Sequence, residues 1–166
     1  MNLEKFTDRA KGFLQAAQTV AIRMDHQRIS PAHVLKALLE DPEGMASGLI
    51  QRAGGDPKAA VAQVDAALAR VAAVTGGGAQ QTPGLDNDAV RVLDQAEQIA
   101  AKSNDSYVTV ERLLVALALA STTAAGQALK AAGIDPKALE TAISDLRGGR
   151  TADSAGAENA YDAMKK

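Results

Sequence analysis

Cysteine and tryptophan are absent from this chain of 166 residues, and aromatic side chains make up only 2% of it. Without cysteine there is no disulfide and no thiolate nucleophile, a composition at ease in a reducing compartment. The aromatics are Phe6, Phe13, Tyr107 and Tyr161, and the formal net charge is -2. That leaves neither a base-stacking platform nor a basic patch that could track phosphates, so nucleic acid is not an expected partner. The longest apolar run, Leu113 to Ala120, falls far short of the roughly 18 residues of a membrane span. The opening MNLEKFTDRAK mixes both charge signs where a leader would place an apolar core. No membrane association is expected, and the chain reads as a soluble cytoplasmic protein.

Catalytic constellations are also missing. Gly76-Gly77-Gly78 lacks the Gly-Lys-Ser/Thr ending of a phosphate loop and follows a helical pattern where such a loop follows a strand. His26 and His33 are the only histidines, and with no cysteine and no His-Glu-x-x-His spacing they do not make a metal site. Surface or capping roles are expected for them, with His33 packing in the first turn of a helix. No serine, histidine and acid form a nucleophile arrangement, and the scattered carboxylates read as solvated helix faces. No cofactor is expected in this chain.

What is present is a duplication. Ala53-Gly54-Gly55-Asp56-Pro57-Lys58-Ala59 returns as Ala132-Gly133-Ile134-Asp135-Pro136-Lys137-Ala138, an offset of 132 − 53 = 79 residues. The same offset pairs Leu14 with Leu93, Leu35 with Leu114 and Leu38 with Leu117. Abundant alanine and a hydrophobic fraction of 46% favour close-packed helices over a sheet core. Apolar residues from Phe6 to Met24 recur at spacings of three and four, which predicts a helix over 4–24. Ser30-Pro31 starts a second helix, and Asp41-Pro42, Asp56-Pro57 and Asp135-Pro136 start others near 42–53, 57–73 and 136–147. The second half predicts helices near 84–102, 110–120 and 123–132. The fold class is all-α, with eight helices in two four-helix repeats related by a pseudo-twofold axis.

The domain is expected over 1–149, with repeat one at 1–75, repeat two at 80–149 and a glycine hinge at 76–78. Arg150 to Gly156 is too poor in apolar residues to pack and reads as a linker within 150–166. Helical character resumes at Ala157 without a closing signal, so a longer parent chain is expected. The repeats disagree at three polar positions: Asp105 faces His26, Glu111 faces Ala32, and Thr7 faces Asp86. On one reading Asp105 fixes a turn, Glu111 sits favourably in a helix first turn and Thr7 is merely exposed. On the other, the fold does not require these residues and a function does.

The doubled unit, Ile29-Ser30-Pro31-Ala32-His33-Val34-Leu35, the returning Tyr107-Val108-Thr109-Val110-Glu111-Arg112-Leu113-Leu114, the Leu146-Arg147-Gly148-Gly149 ending and the tail from Ala157 to Lys166 together resemble the amino-terminal domain of the Clp/Hsp100 unfoldases, on the disaggregase side of that family. The resemblance spans the whole chain. It implies a mobile, non-catalytic domain that recruits unfolded or aggregated polypeptides to a hexameric ATPase ring working with the Hsp70 system. ATP and magnesium would belong to ATPase modules absent from this chain. The resemblance also implies functional roles for Thr7, Asp105 and Glu111, and a shallow apolar client groove on the fifth helix and the following turn, with Leu93, Ile99 and Tyr107. Gln95 and Arg112 stand where relatives often carry leucine, which implies a less apolar groove. Ala72 replaces a common proline, which implies a slightly longer fourth helix. The alternative is an adaptor-docking domain of a Clp protease ATPase. Relatives that read charged degradation tags carry an acid at the start of the second helix in both repeats, whereas here Glu111 has Ala32 as its mate.

Overall fold

Cap chemistry sets the helix boundaries. In the computed structural model, which describes residues 3–73, 82–148 and 150–158, the helices are α1 Asp8–Arg23, α2 Pro31–Leu39, α3 Met45–Arg52, α4 Pro57–Ala69, α5 Asn87–Lys102, α6 Val110–Leu119, α7 Ala124–Ala131 and α8 Pro136–Arg147. Asp56 and Asp135 accept from the amides of Lys58 and Lys137 and precede Pro57 and Pro136. A proline at the first helical position loses no bond, because that amide has no intrahelical partner.

Three starts fall later in the chain than the apolar spacing predicts. Helix α1 opens at Asp8 because the Thr7 hydroxyl caps the Ala10 amide. Helix α5 opens at Asn87 because Asp86 caps Ala89, after the short strand β2 Gly84–Leu85. Helix α3 waits until Met45, since the Asp41 carboxylate takes the Glu43 amide and Gly44 adopts φ 68°. At its other end α4 stops at Ala69, and Ala72 lies beyond it. The glycine hinge and the expected tail helix beyond Glu158 lie outside the described residues.

The pseudo-twofold relation is visible in the contacts. Strand β1 Arg28–Ile29 pairs in parallel with β2, placing Ile29 opposite Leu85, and an isolated parallel bridge from Phe6 to Val108 is the same pair shifted by one repeat. Helix α1 packs on α2 as α5 packs on α6, while α4 packs on α7 and α8 on α3. The fourth helix of each repeat therefore closes on the third helix of the other, and the two repeats share one core. Leu14, Leu35, Leu38, Leu93, Leu114 and Leu117 are all buried in it, as their spacing predicts.

The repeats meet at their matching turns, where Asp56 donates its amide to the Ala132 carbonyl at 2.9 Å. Gly55 and Ile134 are equivalent positions, and there they face each other. A Cβ on Gly55 would run into the Ile134 side chain and lie 2.9 Å from the Ala132 oxygen. Near a twofold axis two equivalent positions compete for one space, so one is glycine and the other fills it. No single helix among the described residues is long and apolar enough to cross a membrane, and the α6–α7 pair that would be long enough together is bent by 93°.

Candidate functional site

The three polar residues that break the repeat converge on one buried region, Asp105 and Glu111 bonded to Arg147 and Thr7 bonded to Glu158. Thr7 and Glu111 are fully buried, and the Asp105 side chain has no exposed surface. This corrects the reading of Thr7 as exposed and of the carboxylates as solvated. At the centre lies Arg147, 2% exposed. Its Nη1 donates to Asp105 Oδ1 and Oδ2 at 2.7 and 2.9 Å, its Nη2 to Thr109 Oγ1 at 2.9 Å, and its Nε to Glu111 Oε1 at 3.1 Å. Arg112 Nε adds a second cation on Asp105 Oδ2 at 3.1 Å. Burial alone would raise the Asp105 pKa; hydrogen bonds from Arg147, the Ala152 amide and Arg112 outweigh it and hold the carboxyl below its ordinary range.

The network fastens the segment after α8, so Arg150–Gly156 packs, contrary to its reading as an unpacked linker. Ala152 is fully buried and donates its amide to Asp105 Oδ1 at 2.9 Å, while its carbonyl accepts from the Ser106 and Tyr107 amides. The Asp8 amide donates to the Ala155 carbonyl at 2.8 Å. Glu158, 1% exposed, accepts from the Thr7 hydroxyl at 2.7 Å and from the Val110 amide at the start of α6 at 2.9 Å. Its second oxygen, like Glu111 Oε2, meets no partner among the described residues. Burial, with the nearby Glu111 charge adding to it, raises the Glu158 pKa despite those two bonds.

Repeat one solves the same place differently. Subtracting 79 from Asp105, Thr109, Arg112 and Arg147 gives His26, Ser30, His33 and Leu68. His26 Nδ1 and His33 Nε2 lie 2.8 Å apart, where Asp105 and Arg112 form their ion pair, and Leu68 is buried where Arg147 stands. The Ser30 amide donates to His33 Nδ1 at 2.9 Å, so the His33 proton sits on Nε2 and points at His26. Both histidines are buried, and His33 combines capping with first-turn packing. Desolvation, then the neighbouring His26 charge, lowers the His33 pKa to about 4.

Thr7 and Asp86 do the same capping work in their repeats, so what distinguishes Thr7 is its bond to Glu158. The sequence reading missed Arg147 and Glu158. The signal for Arg147 was an arginine at the position equivalent to the apolar Leu68.

A groove of about 450 Å³ runs between α1 and α5, with Leu3, Leu14, Ile29, Leu85, Val90 and Leu93 among its walls. Val90 is 41% exposed there, while Leu93 forms the buried floor. Ile99 and Tyr107 are not among its lining residues. Ile99 belongs to the core, and Tyr107, half-buried, packs on Ala152 and Ala157. Gln95 faces a different depression, with Arg91 and Leu119. Among the described residues no group of histidine and acidic side chains could hold a metal ion.

Residues 5–132 match the Clp repeat (R) N-terminal domain family. Across all 166 residues the chain is 52% identical to the chaperone protein ClpB of Rhodopseudomonas palustris and 51% identical to that of Agrobacterium fabrum, spanning 19% of each relative's length, at its N-terminal region. The Hsp104 N-terminal domain of Candida albicans superposes with a TM-score of 0.79 at 25% identity, covering 93% of this chain and 99% of that one. The N-terminal domain of the ClpV1 ATPase of Escherichia coli shares the fold, with a TM-score of 0.72 at 20% identity, covering 90% and 89%. With the interlocked repeats, the family model, the curated relatives and the solved structures in agreement, the chain belongs to the Clp repeat N-terminal domain family and matches the N-terminal region of ClpB chaperones.

Proposed function

We propose that this domain recruits unfolded or aggregated polypeptides by taking their exposed apolar segments into the groove between α1 and α5, and delivers them to the ATPase ring of its parent chaperone. The observation that carries the reading is the open groove itself, walled by aliphatic side chains and presenting Val90 to solvent. Its volume lies in the range of ligand-binding clefts. A flexible client must lose chain entropy on binding, so a shallow groove gives weak capture, on the order of 10–1000 μM or roughly 4–7 kcal/mol. Weak capture suits hand-over to a motor.

On this reading Thr7, Asp105 and Glu111 do not touch the client. They hold Arg147 and residues 150–158 against the body of the domain, and so set how the domain hangs from whatever follows it. The domain performs no chemistry of its own; ATP, magnesium, the hexameric ring and the Hsp70 system belong to the parent's activity. Burial of Glu111 against Arg147 tells against the adaptor-docking alternative, in which an acid at that helix start must face a charged tag.

The test is a chimaera in which this chain replaces the N-terminal region of the Rhodopseudomonas palustris ClpB. Val90→Asp should slow reactivation of aggregated clients while client-free ATP hydrolysis stays unchanged. Equal reactivation by the two chimaeras would remove the groove from the account.

A further inference from the structure

A second depression, of about 350 Å³, opens where α6 and α8 meet the segment after α8, and shares no lining residue with the apolar groove. Its walls are Arg112, Arg147 and Arg150 with the hydroxyl residues Ser103, Ser144 and Thr151, and Glu140 also lines it. We propose that this pocket binds a carboxylate carried by a polypeptide, either an acidic side chain or a chain end, through the terminal nitrogens of Arg112.

Arg112 carries donors that the fold leaves unused. The residue is 9% exposed, and only its Nε is engaged, on Asp105 Oδ2 at 3.1 Å. Nη1 and Nη2 find no acceptor among the described residues, although a guanidinium this buried ordinarily satisfies most of its donors. They are not sealed off, because among the described residues the only fully enclosed unpartnered side-chain atoms are two carboxylate oxygens, on Glu111 and Glu158. The open end of Arg112 therefore faces the pocket. Two parallel N–H groups on one guanidinium edge match the two oxygens of a carboxylate, and the Asp105 bond holds the fork in place before a ligand arrives. The wall hydroxyls add donors of adjustable direction.

Repeat one shows that the fold does not require this cation. The equivalent residue, His33, spends both ring nitrogens inside, on Ser30 and His26, and offers no donor to a ligand. Charge decides the class of anion. Around the pocket Arg112, Arg147 and Arg150 are balanced by Asp105, Glu111 and the exposed Glu140. A singly charged carboxylate is tolerated beside Glu140, whereas a phosphate monoester near two negative charges is repelled more strongly.

The test uses four peptides added to the isotope-labelled chain: Ac-GSGSGE-amide, its Gln counterpart Ac-GSGSGQ-amide, Ac-GSGSGG with a free C-terminal carboxylate, and the O-phosphoserine counterpart of the first. NMR follows the Arg112 side-chain Nε–H and the Ser103 and Thr151 amides. A carboxylate peptide should shift these signals saturably, roughly ten-fold more tightly than the Gln peptide, and whichever of the two carboxylate peptides binds better names the source. Arg112→Leu should abolish the shifts, and Glu140→Gln should strengthen binding roughly two- to five-fold by removing a like charge. Equal shifts with the Gln peptide, or tightest binding by the phosphoserine peptide, would overturn the assignment. Should Arg112→Leu lose its folded spectrum, the Glu140→Gln ratio decides, and a ratio of one refutes the site.

Discussion

Replacing Arg147 with leucine tests whether the polar network is a buried structural latch or a set of surface bonds. Repeat one has leucine at the equivalent position and alanine opposite Glu111, so Arg147→Leu installs a side chain that the fold already accommodates at Leu68. The cost therefore falls on the carboxylates left behind. Asp105 keeps the Ala152 amide and Arg112, but Glu111 loses its hydrogen bond on Oε1, and Oε2 has none to begin with. Stranding a buried charge costs about 3–5 kcal/mol. For a domain of this size that is about 2–4 °C per kcal/mol, so the melting temperature should fall by roughly 6–20 °C. Adding Glu111→Ala recreates the Ala32 and Leu68 pair of repeat one and removes the stranded charge. Denaturant melts of both single variants and the double variant give the coupling. The double variant should recover most of the loss, with an interaction on the order of 2–3 kcal/mol. A loss below about 1 kcal/mol for Arg147→Leu, as exposed ion pairs show, or simple additivity in the double variant, would refute the reasoning.

Gly55→Ala should destabilise the chain by about 1–3 kcal/mol, because its Cβ collides with Ile134 across the twofold, whereas shortening Ile134 to valine in the same chain should return part of the loss in a thermal melt. His33 is held neutral in the fold, with its pKa lowered from 6.5 to about 4. The unfolded chain binds more protons than the folded one between those values, so stability falls on acidification across that window, by on the order of 2–3 kcal/mol. His33→Asn should flatten that slope in urea melts run from pH 7 to 4. Glu158 has a raised pKa, so its contribution to docking is full below the ordinary glutamate value of 4.5 and is lost as pH rises through the raised value. Glu158→Gln keeps an oxygen for Thr7 and Val110 without the charge, and the Asp8 and Ala152 amide signals should then stop moving with pH above 4.5.

The duplication and the eight helices among the described residues were legible because a fixed offset repeats both the apolar spacing and the Asp-Pro starts. Helix starts drifted where the spacing runs on past the cap: Phe6 is core, yet Thr7 ends the extended segment by capping Ala10. The offset comparison singled out Thr7, Asp105 and Glu111 but carried no information on depth, so residues sealed in the interior read as solvated. Depth required Arg147 and Glu158, whose partners lie 42 and 151 residues away in the chain. The segment after α8 read as unpacked because alanine gives no apolar run; Ala152 nevertheless fills a fully buried position, its backbone held by Asp105, Ser106 and Tyr107. Leu93 lines the groove, but Ile99 and Tyr107 share its helix and turn without reaching the opening.

Client capture by the groove is tested most directly by titrating the isotope-labelled chain with a permanently unfolded polypeptide and following its methyl groups by NMR. The account predicts fast-exchange shifts confined to Leu14, Leu85, Val90 and Leu93, saturating between about 10 and 1000 μM, with no response to a folded control protein of similar size and charge. Shifts that spare these four residues, or that appear equally with the folded control, would contradict it.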